Sequence, residues 1–305
     1  MRGLRTLSIL ALTAVLGGCQ TDATGESVTP AAADITTTLA TTTTTVTETT
    51  TTTASAPITT TTTTTTTLPV VECTVTEIGS DEDFHRQTCE QSGITIVASG
   101  NVAERALVAA AGRMAGMLAE QPDVAAAVAA SIDHVAVIGR DEQITDLPGF
   151  EDLYRLHPGT DWKRLGRSFP GSDEIPVSAG AEENLLCLEG DRYEGEDMFV
   201  HDFARTIRRF GIAEVDPALD RAIEDAYGRA IAADLWRNTL AEVNSDEYWA
   251  EGSQSFFDVN AEADDEKDQA HNNVNTRDEL RSYDPGLYGL LVEAFGETNW
   301  RPGCG

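Results

Sequence analysis

The chain has 305 residues, and its 51 Asp and Glu residues against 21 Lys and Arg residues give a formal net charge of -30 at pH 7. A surface this acidic repels the phosphates of nucleic acids and of anionic lipid headgroups, so neither is expected as a partner. Residues 69–305 are long enough to bury one substantial hydrophobic core or two closely packed subdomains.

The first residues have the pattern of an export signal. Two arginines precede an apolar run over residues 7–16, which is far shorter than the roughly 20 residues that a membrane-spanning helix needs. The run ends in Leu16-Gly17-Gly18-Cys19, which resembles the lipobox of bacterial lipoproteins. We therefore predict a signal peptide over residues 1–18 and a lipid on Cys19 that anchors the protein to the extracellular face of the cell membrane. The alternative is an ordinary secretory signal with an incidental cysteine.

A low-complexity segment follows the predicted signal. Residues 19–68 are dominated by threonine, with alanine, a few prolines and almost no large apolar side chains. Such a segment cannot bury enough apolar surface to offset its chain entropy, so we predict a lipid-anchored, disordered stalk. Threonine tracts with proline also suit O-glycosylation. The alternative is a neutral spacer of tolerant length with no specific role. We favour that interpretation for the exact order of its residues.

The remaining cysteines agree with export. Beyond the lipobox they are Cys73, Cys89, Cys187 and Cys304. An even number of cysteines in an exported domain predicts two disulfides, with three possible connectivities. We favour Cys73–Cys89, which are close in sequence, and Cys187–Cys304, which would tie the carboxyl terminus to the domain. Because no C-x-x-C spacing occurs, neither a redox motif nor a structural zinc site is expected.

Residues 69–305 are predicted to form a mostly helical α+β domain, with a small N-terminal sheet and a helical C-terminal half. Residues 133–139 have the composition of a strand, whereas residues 140–195 are rich in glycine, proline and aspartate and are expected to be irregular with short elements. Apolar spacing and capping residues predict the helices. These are residues 101–120 capped by Asn101, a segment from Pro122, residues 195–210, a segment from Asp216-Pro217, residues 245–258, a segment from Thr276 with a capping box, and residues 285–295 closed by Gly296.

The segment over residues 199–207 is chemically suggestive. An apolar stripe of Phe199, Phe203, Ile207 and Phe210 leaves the polar residues of the same helix on its other side. Those residues are His201, Asp202 and Arg205. They have the spacing of the zinc-peptidase helix H-E-x-x-H, with Asp202 in place of the glutamate and Arg205 in place of the second histidine. A His-Asp pair on a helix is more often a solvated surface feature, so this segment alone is a weak signal.

Further segments in the same order strengthen the signal. They are Asp146-Leu147-Pro148, Ala181-Glu182-Glu183-Asn184-Leu185-Leu186-Cys187, Tyr193-Glu194-Gly195-Glu196-Asp197, Asn244-Ser245-Asp246-Glu247-Tyr248-Trp249, and Val274-Asn275-Thr276-Arg277-Asp278-Glu279 with Tyr283-Asp284-Pro285. Together with the H-D-x-x-R segment they resemble an exported gluzincin-type zinc metallopeptidase family similar to the catalytic domain of anthrax toxin lethal factor. The resemblance covers roughly residues 95 to 305 and implies a metallopeptidase-like (zincin) fold.

The resemblance also implies roles for five positions. The first zinc histidine of the family falls on His201 and the carboxylate ligand on Glu247, while the general base falls on Asp202. The second zinc histidine falls on Arg205, whose protonated guanidinium cannot bind a metal. The tyrosine that steadies the oxyanion falls on Leu240. We therefore predict a degenerate site without catalysis, where metal binding is doubtful and no cofactor is expected.

If no zinc is bound, another cation has to compensate the negative charges of the carboxylates at this site. We predict an Arg205–Glu247 ion pair in the place of the metal, with Asp202 joining Arg205 through an i,i+3 contact. The alternative is that Arg205 points to solvent and leaves the cleft open. Glu251 is expected behind the site or on the surface. His271 lies in a loop long enough to reach the cleft as a replacement ligand.

Three functions are compatible with these residues. The favoured one is a non-catalytic extracellular protein whose old substrate cleft binds a peptide, a cell-wall fragment or a surface protein. The first alternative is an active zinc metallopeptidase with an altered ligand set, namely His201, Glu247 and one outside group. The second alternative is a structural protein of the cell envelope. Metal content separates the first two, because one histidine beside an arginine should hold zinc poorly.

Overall fold

The computed structural model describes residues 69–80, 82–263 and 270–304. The predicted signal peptide over residues 1–18, the lipidation site at Cys19 and the predicted stalk over residues 19–68 lie outside the described residues. Within the described part of the chain, no helix has both the length and the apolar composition to cross a membrane.

A mixed sheet of six strands forms the first half of the domain, in the order β1-β2-β3-β4-β6-β5. The strands are β1 Thr76–Glu77, β2 His85–Gln91, β3 Ile94–Ser99, β4 His134–Ile138, β5 Ser168–Phe169 and β6 Val177–Ala181. The central strands β3, β4 and β6 pair in parallel, and the outer strands β1, β2 and β5 pair antiparallel with their neighbours. The predicted strand at residues 133–139 is confirmed as β4.

Helices cover the sheet and form the second half of the domain. They are α1 Glu104–Leu118, α2 Pro122–Ser131, α3 Leu153–Leu156, α4 Trp162–Leu165, α5 Glu182–Leu185, α6 Met198–Thr206, α7 Ala213–Val215, α8 Pro217–Ala232, α9 Ser245–Phe256, α10 Arg277–Tyr283 and α11 Pro285–Phe295. Shorter 3₁₀ turns lie at Ile144–Asp146 and Leu240–Glu242, and a π-helical turn at Ile207–Ile212 joins α6 to α7. The mostly helical α+β class is confirmed.

Local capping signals placed most helix starts correctly. The Asp216 carboxylate accepts from two backbone amides at the start of α8, and Thr276 forms the predicted capping box of α10 with Glu279. The predicted Asn101 cap of α1 is wrong. That helix begins three residues later, and the backbone N–H of Ala103 donates instead to the distant Glu182 carboxylate at 2.9 Å.

The irregular region predicted over residues 140–195 contains a central strand, β6, so the sheet extends further along the chain than expected. All five residues of β6 are buried, and they are small, so the segment lacks the alternation that identifies a strand. Gly180 lets α6 approach the sheet, because a Cβ atom there would lie 2.5 Å from the Phe199 ring. The strand that supports α6 therefore carries little local signal.

The two faces of the sheet contribute to two apolar clusters. Val135 and Val137 of β4 face the larger cluster, which also contains the apolar residues of α1, α6, α9 and α11. Ala136 and Ile138 face a smaller cluster with Phe150 and Phe169. The alternation along one strand thus fixes which helices lie against which face.

Both predicted disulfides are present. Cys73 and Cys89 join the segment before β1 to β2, with Cα atoms 5.1 Å apart. Cys187 and Cys304 join the end of α5 to the carboxyl terminus, with Cα atoms 5.4 Å apart. The described residues, which include both pairs and both apolar clusters, all fall within one compact unit.

A histidine pair on the sheet makes stability depend on pH. The rings of His85 and His134 meet edge to face with centroids 5.4 Å apart, and burial lowers the pKa of both, against the opposing charges of Glu142 and Asp133. The unfolded chain takes up these protons near pH 6.5, about the ordinary pKa of histidine, so the folded state loses stability as pH falls below about 6.5.

We expect the midpoint of thermal unfolding to fall between about pH 6.5 and about pH 5.5, and to fall less in a His134→Gln variant. Circular dichroism of residues 69–305 at several pH values measures this. If the midpoint of thermal unfolding falls equally with pH in the variant and in the natural domain, folding does not lower the pKa values of this pair.

Candidate functional site

The helix α6 begins at a buried cap. Asp197 accepts from the backbone N–H of Val200 at 3.0 Å, and Arg113 of α1 donates to the same carboxylate at 2.6 Å. Phe199 and Phe203 stack at 5.3 Å between centroids in the large core. These contacts fix the start and the rotation of α6 against the rest of the domain.

The predicted apolar stripe of α6 is confirmed for its first three members. Phe199, Phe203 and Ile207 are buried, whereas Phe210 is only partly buried. The chain changes to π-helical hydrogen bonding at Ile207, which rotates the side chains that follow.

The other side of α6 is also buried, because α9 packs on it. His201 and Asp202 expose only 3% and 5% of their surface, and the Trp249 indole N–H donates to the backbone oxygen of Ala204 at 3.0 Å. The H-D-x-x-R segment is therefore not a solvated surface feature.

Five charged or titratable side chains of α6 and α9 meet in this interface, and we refer to them as the α6–α9 charge cluster. They are His201, Asp202, Arg205, Glu247 and Glu251. The predicted ion pair within it is confirmed, because Arg205 Nη1 lies 3.2 Å from Glu247 Oε1 and 3.2 Å from Asp202 Oδ1. Arg205 does not point freely into solvent, since one fifth of its side chain is exposed.

His201 has a carboxylate on each side. Its Nδ1 lies 3.2 Å from Asp202 Oδ1, and its Nε2 lies 3.3 Å from Glu247 Oε2 and 3.5 Å from Glu251 Oε1. The Nε2 distances exceed the 2.7–2.9 Å of a charge-assisted hydrogen bond, so these contacts are ion pairs. A nitrogen lone pair facing two carboxylates would be repelled, which favours a proton on Nε2.

The pKa values follow from this arrangement. Burial alone would lower the pKa of His201, but Asp202, Glu247 and Glu251 together raise it well above its ordinary value. Burial would raise the pKa of Glu247, but Arg205 and then His201 lower it to about 2. The pKa of Arg205 is raised, because nearby carboxylates outweigh its own burial. At neutral pH the cluster therefore contains two cations and ionised Glu247.

Glu251 is not a surface residue. It is 2% exposed and lies one turn after Glu247 on α9, and Asn260 donates to its Oε2 at 3.1 Å. Its other oxygen faces His201. The spacing of Glu247 and Glu251 could have predicted a shared helix face, but only the packing of α6 on α9 turns that face inward.

The other two predicted positions are less central. Leu240 lies half-buried in the 3₁₀ turn before α9 and has no polar side-chain atom to offer an oxyanion. His271 Nε2 pairs with Glu196 Oε2 at 3.2 Å, so a carboxylate outside the cluster engages it.

A second group of residues was missed from the sequence. A cavity of about 220 Å³ adjoins the cluster, lined by Arg205, Arg208 and Arg209 together with Asp220 and Asp246. The i, i+3, i+4 spacing of the three arginines was the available signal, since residues at that spacing share a helix face.

No family model, curated protein or solved structure matches this chain. Among the residues that the structure describes, no group of three or more His, Cys, Asp or Glu side chains is arranged in a way that could hold a metal ion. The fold and site together define an α+β domain with a buried, internally paired charge cluster, and its function has to be argued from that cluster.

The donor set of the cluster does not fit the zinc of a peptidase. It contains one imidazole where zinc peptidases use two histidines with a carboxylate, and the guanidinium of Arg205 stands 3.2 Å from the Glu247 carboxylate. A divalent cation at Glu247 would be repelled by that fixed charge and would have to displace the proton from His201.

Proposed function

We propose that residues 69–305 are a non-catalytic binding domain on a metallopeptidase-like scaffold, held at the extracellular face of the cell membrane by a lipid on Cys19. The observation that carries the proposal is the guanidinium of Arg205, which pairs with both Glu247 and Asp202. These are the positions where the resemblance places the metal ligand and the general base. Both carboxylates are engaged by an internal cation, so neither is free for metal-assisted hydrolysis.

Three changes act together against catalysis. The aspartate at the base position is one methylene shorter than a glutamate, and such a displacement costs about a hundredfold in rate. Leu240 lacks the donor that would stabilise an oxyanion, a loss worth about 3 kcal/mol. Arg205 replaces a ligand with a cation, which removes the Lewis acid altogether.

Binding remains possible when catalysis is lost, because a substrate cleft needs shape and polar contacts rather than a reactive centre. The cavity beside Arg205 supports this view. The expected partners are a peptide, a cell-wall fragment or a surface protein, while nucleic acid is not expected for a chain with a net charge of -30. In this proposal the membrane is contacted through the lipid anchor alone, and no cofactor is needed.

Metal content tests the proposal. Residues 69–305, purified with and without added zinc, are expected to hold no stoichiometric zinc by mass spectrometry. The Arg205→His variant is expected to gain zinc, because the change removes a cation and supplies a second imidazole one turn after His201. One tightly bound zinc in the natural domain, with peptide cleavage, would contradict the proposal.

One observation favours the alternative of an active zinc metallopeptidase with an altered ligand set. His201 Nε2, Glu247 Oε2 and Glu251 Oε1 are buried, lie close together and have no hydrogen-bond partner. These three side chains do not have the arrangement of a metal site as they stand, so this alternative requires the cluster to rearrange around the ion. A proton on His201 accounts for the same geometry without a metal, which is why the alternative is second.

A further inference from the structure

The cavity beside the α6–α9 charge cluster has an unusual lining for so acidic a chain. Its side chains include three arginines and two aspartates, a net charge of +1, whereas the whole chain carries -30. Arg205, Arg208 and Arg209 come from the end of α6 and the π-helical turn, which places them on one wall. Positive walls in an otherwise negative surface attract anions.

All three arginines contact carboxylates of the domain, and Arg208 is the most fully engaged. Arg208 is 4% exposed and pairs with Asp220 at 2.8 Å, with Asp246 at 3.0 Å and with Glu224. Its single positive charge is therefore shared among three carboxylates, and the residue has a structural role. The positive charge that a ligand meets comes from Arg205 and Arg209.

These two arginines retain capacity for an acceptor. The Nε–H of Arg205 is buried and has no hydrogen-bond partner, which is unfavourable unless an acceptor arrives. Arg209 pairs with Asp173 at 3.1 Å, but the two side chains are 47% and 74% exposed. Exposed ion pairs contribute little to stability, so an incoming anion can replace Asp173 at little cost.

The size of the cavity limits the ligand. About 220 Å³ is less than the roughly 300–1,000 Å³ of pockets that enclose whole small molecules, so the cavity has room for one group of a larger ligand. Pro170 and Gly171 line it as well and offer a wall without charge. A planar carboxylate matches the fork of a guanidinium better than a spherical anion does.

We propose that this cavity binds the carboxylate of a peptide-like ligand between Arg205 and Arg209. The inference rests on the proposed binding function and names the chemical class of its ligand. The carboxylate can come from the carboxyl terminus of a peptide or from an acidic side chain, and both sources present the same group.

Three small probes separate these sources: N-acetyl-dialanine as the free acid, the same peptide as the carboxyl-terminal amide, and N-acetyl-alanyl-aspartyl amide. Each is titrated at millimolar concentration into ¹⁵N-labelled residues 69–305, and the backbone amide shifts of Gly171 and Ala213 beside the cavity are followed by NMR. We expect at least one probe with a carboxylate to shift these amides and the neutral amide to leave them unchanged.

Matched variants test the role of the guanidinium. Arg209→Gln is expected to weaken binding of the carboxylate probe about tenfold, because it removes one charge-assisted hydrogen bond. Arg155→Gln is the control, since Arg155 forms a comparable exposed pair with Asp152 at 2.7 Å and is expected to leave binding unchanged.

Equal shifts with the acid and the neutral amide, or no shift with any probe, would overturn the carboxylate inference. Equal weakening by Arg209→Gln and Arg155→Gln would overturn it too, because the effect would then follow net charge alone. None of these results touches the proposed function, which fails separately if the natural domain holds zinc and cleaves peptides.

Discussion

Replacing Cys187 and Cys304 with serine is expected to lower the free energy of unfolding by roughly 4 to 5 kcal/mol, the largest effect among these predictions. The disulfide closes a loop of 117 residues, so its loss releases much chain entropy in the unfolded state. It also frees the carboxyl-terminal segment, where Trp300 packs edge to face on Phe257 at 5.4 Å between centroids. Urea unfolding of residues 69–305 under non-reducing conditions measures the loss.

The shorter disulfide provides the matched control. Cys73 and Cys89 are separated by 16 residues, and the same entropy argument predicts a loss of about 3 kcal/mol for the serine double variant. A loss at Cys187–Cys304 no greater than that at Cys73–Cys89 would contradict the loop-entropy argument and would indicate that the carboxyl-terminal segment contributes little.

Arg205→Met is expected to destabilise the domain by about 3 kcal/mol, because it removes one partner from a buried ion-pair network. Methionine keeps most of the aliphatic volume but leaves Glu247 and Asp202 with His201 as their remaining neighbouring cation in the cluster. The free energy of unfolding by urea or heat, compared with that of the natural domain, measures this loss.

A double-mutant cycle separates the ion pair from the packing of the side chain. Glu247→Gln alone is also expected to destabilise the domain, and adding Arg205→Met to it should cost less than in the natural background. Arg155→Met, at an exposed i,i+3 pair, is the control and should change stability by less than about 0.5 kcal/mol. If the losses of unfolding free energy for Arg205→Met and Glu247→Gln are strictly additive, the two charges do not stabilise each other.

Such coupling would also explain how a domain with so many buried charges remains folded. Arg205 and the protonated His201 place two positive charges beside Glu247, the same total charge that a divalent cation would bring. Buried pairs of this kind need not add net stability, because desolvation offsets much of their attraction. Their effect is that removing any single member leaves another buried charge unpaired and lowers the free energy of unfolding.

Features that depend on neighbouring residues were predictable from the sequence. Helix starts at Pro122, Asp216 and Thr276 follow from the fixed φ of proline and from side chains that accept the first free amides. The pairing of the cysteines was predictable because few cysteines leave few choices. The contact of Arg205 with Glu247 was predicted from the resemblance of their two segments to a peptidase family and from the opposite charges of the two side chains.

Features that depend on distant residues required the tertiary structure. The start of α1 is set by Glu182, far along the chain, rather than by the nearby Asn101. Strand β6 has small residues that would suit a loop, and it is a strand because β4 and β5 supply its hydrogen bonds on both sides.

The same division runs through the site. From the sequence alone, the resemblance predicted an arginine at the position of a zinc ligand, since that prediction needs only residue type and spacing. The packing of α6 on α9 decided that Glu251 joins the cluster and that His201 is enclosed by carboxylates. The physical reason is that the pKa of a side chain depends on burial and on charges within a few ångströms, and neither quantity is local in sequence.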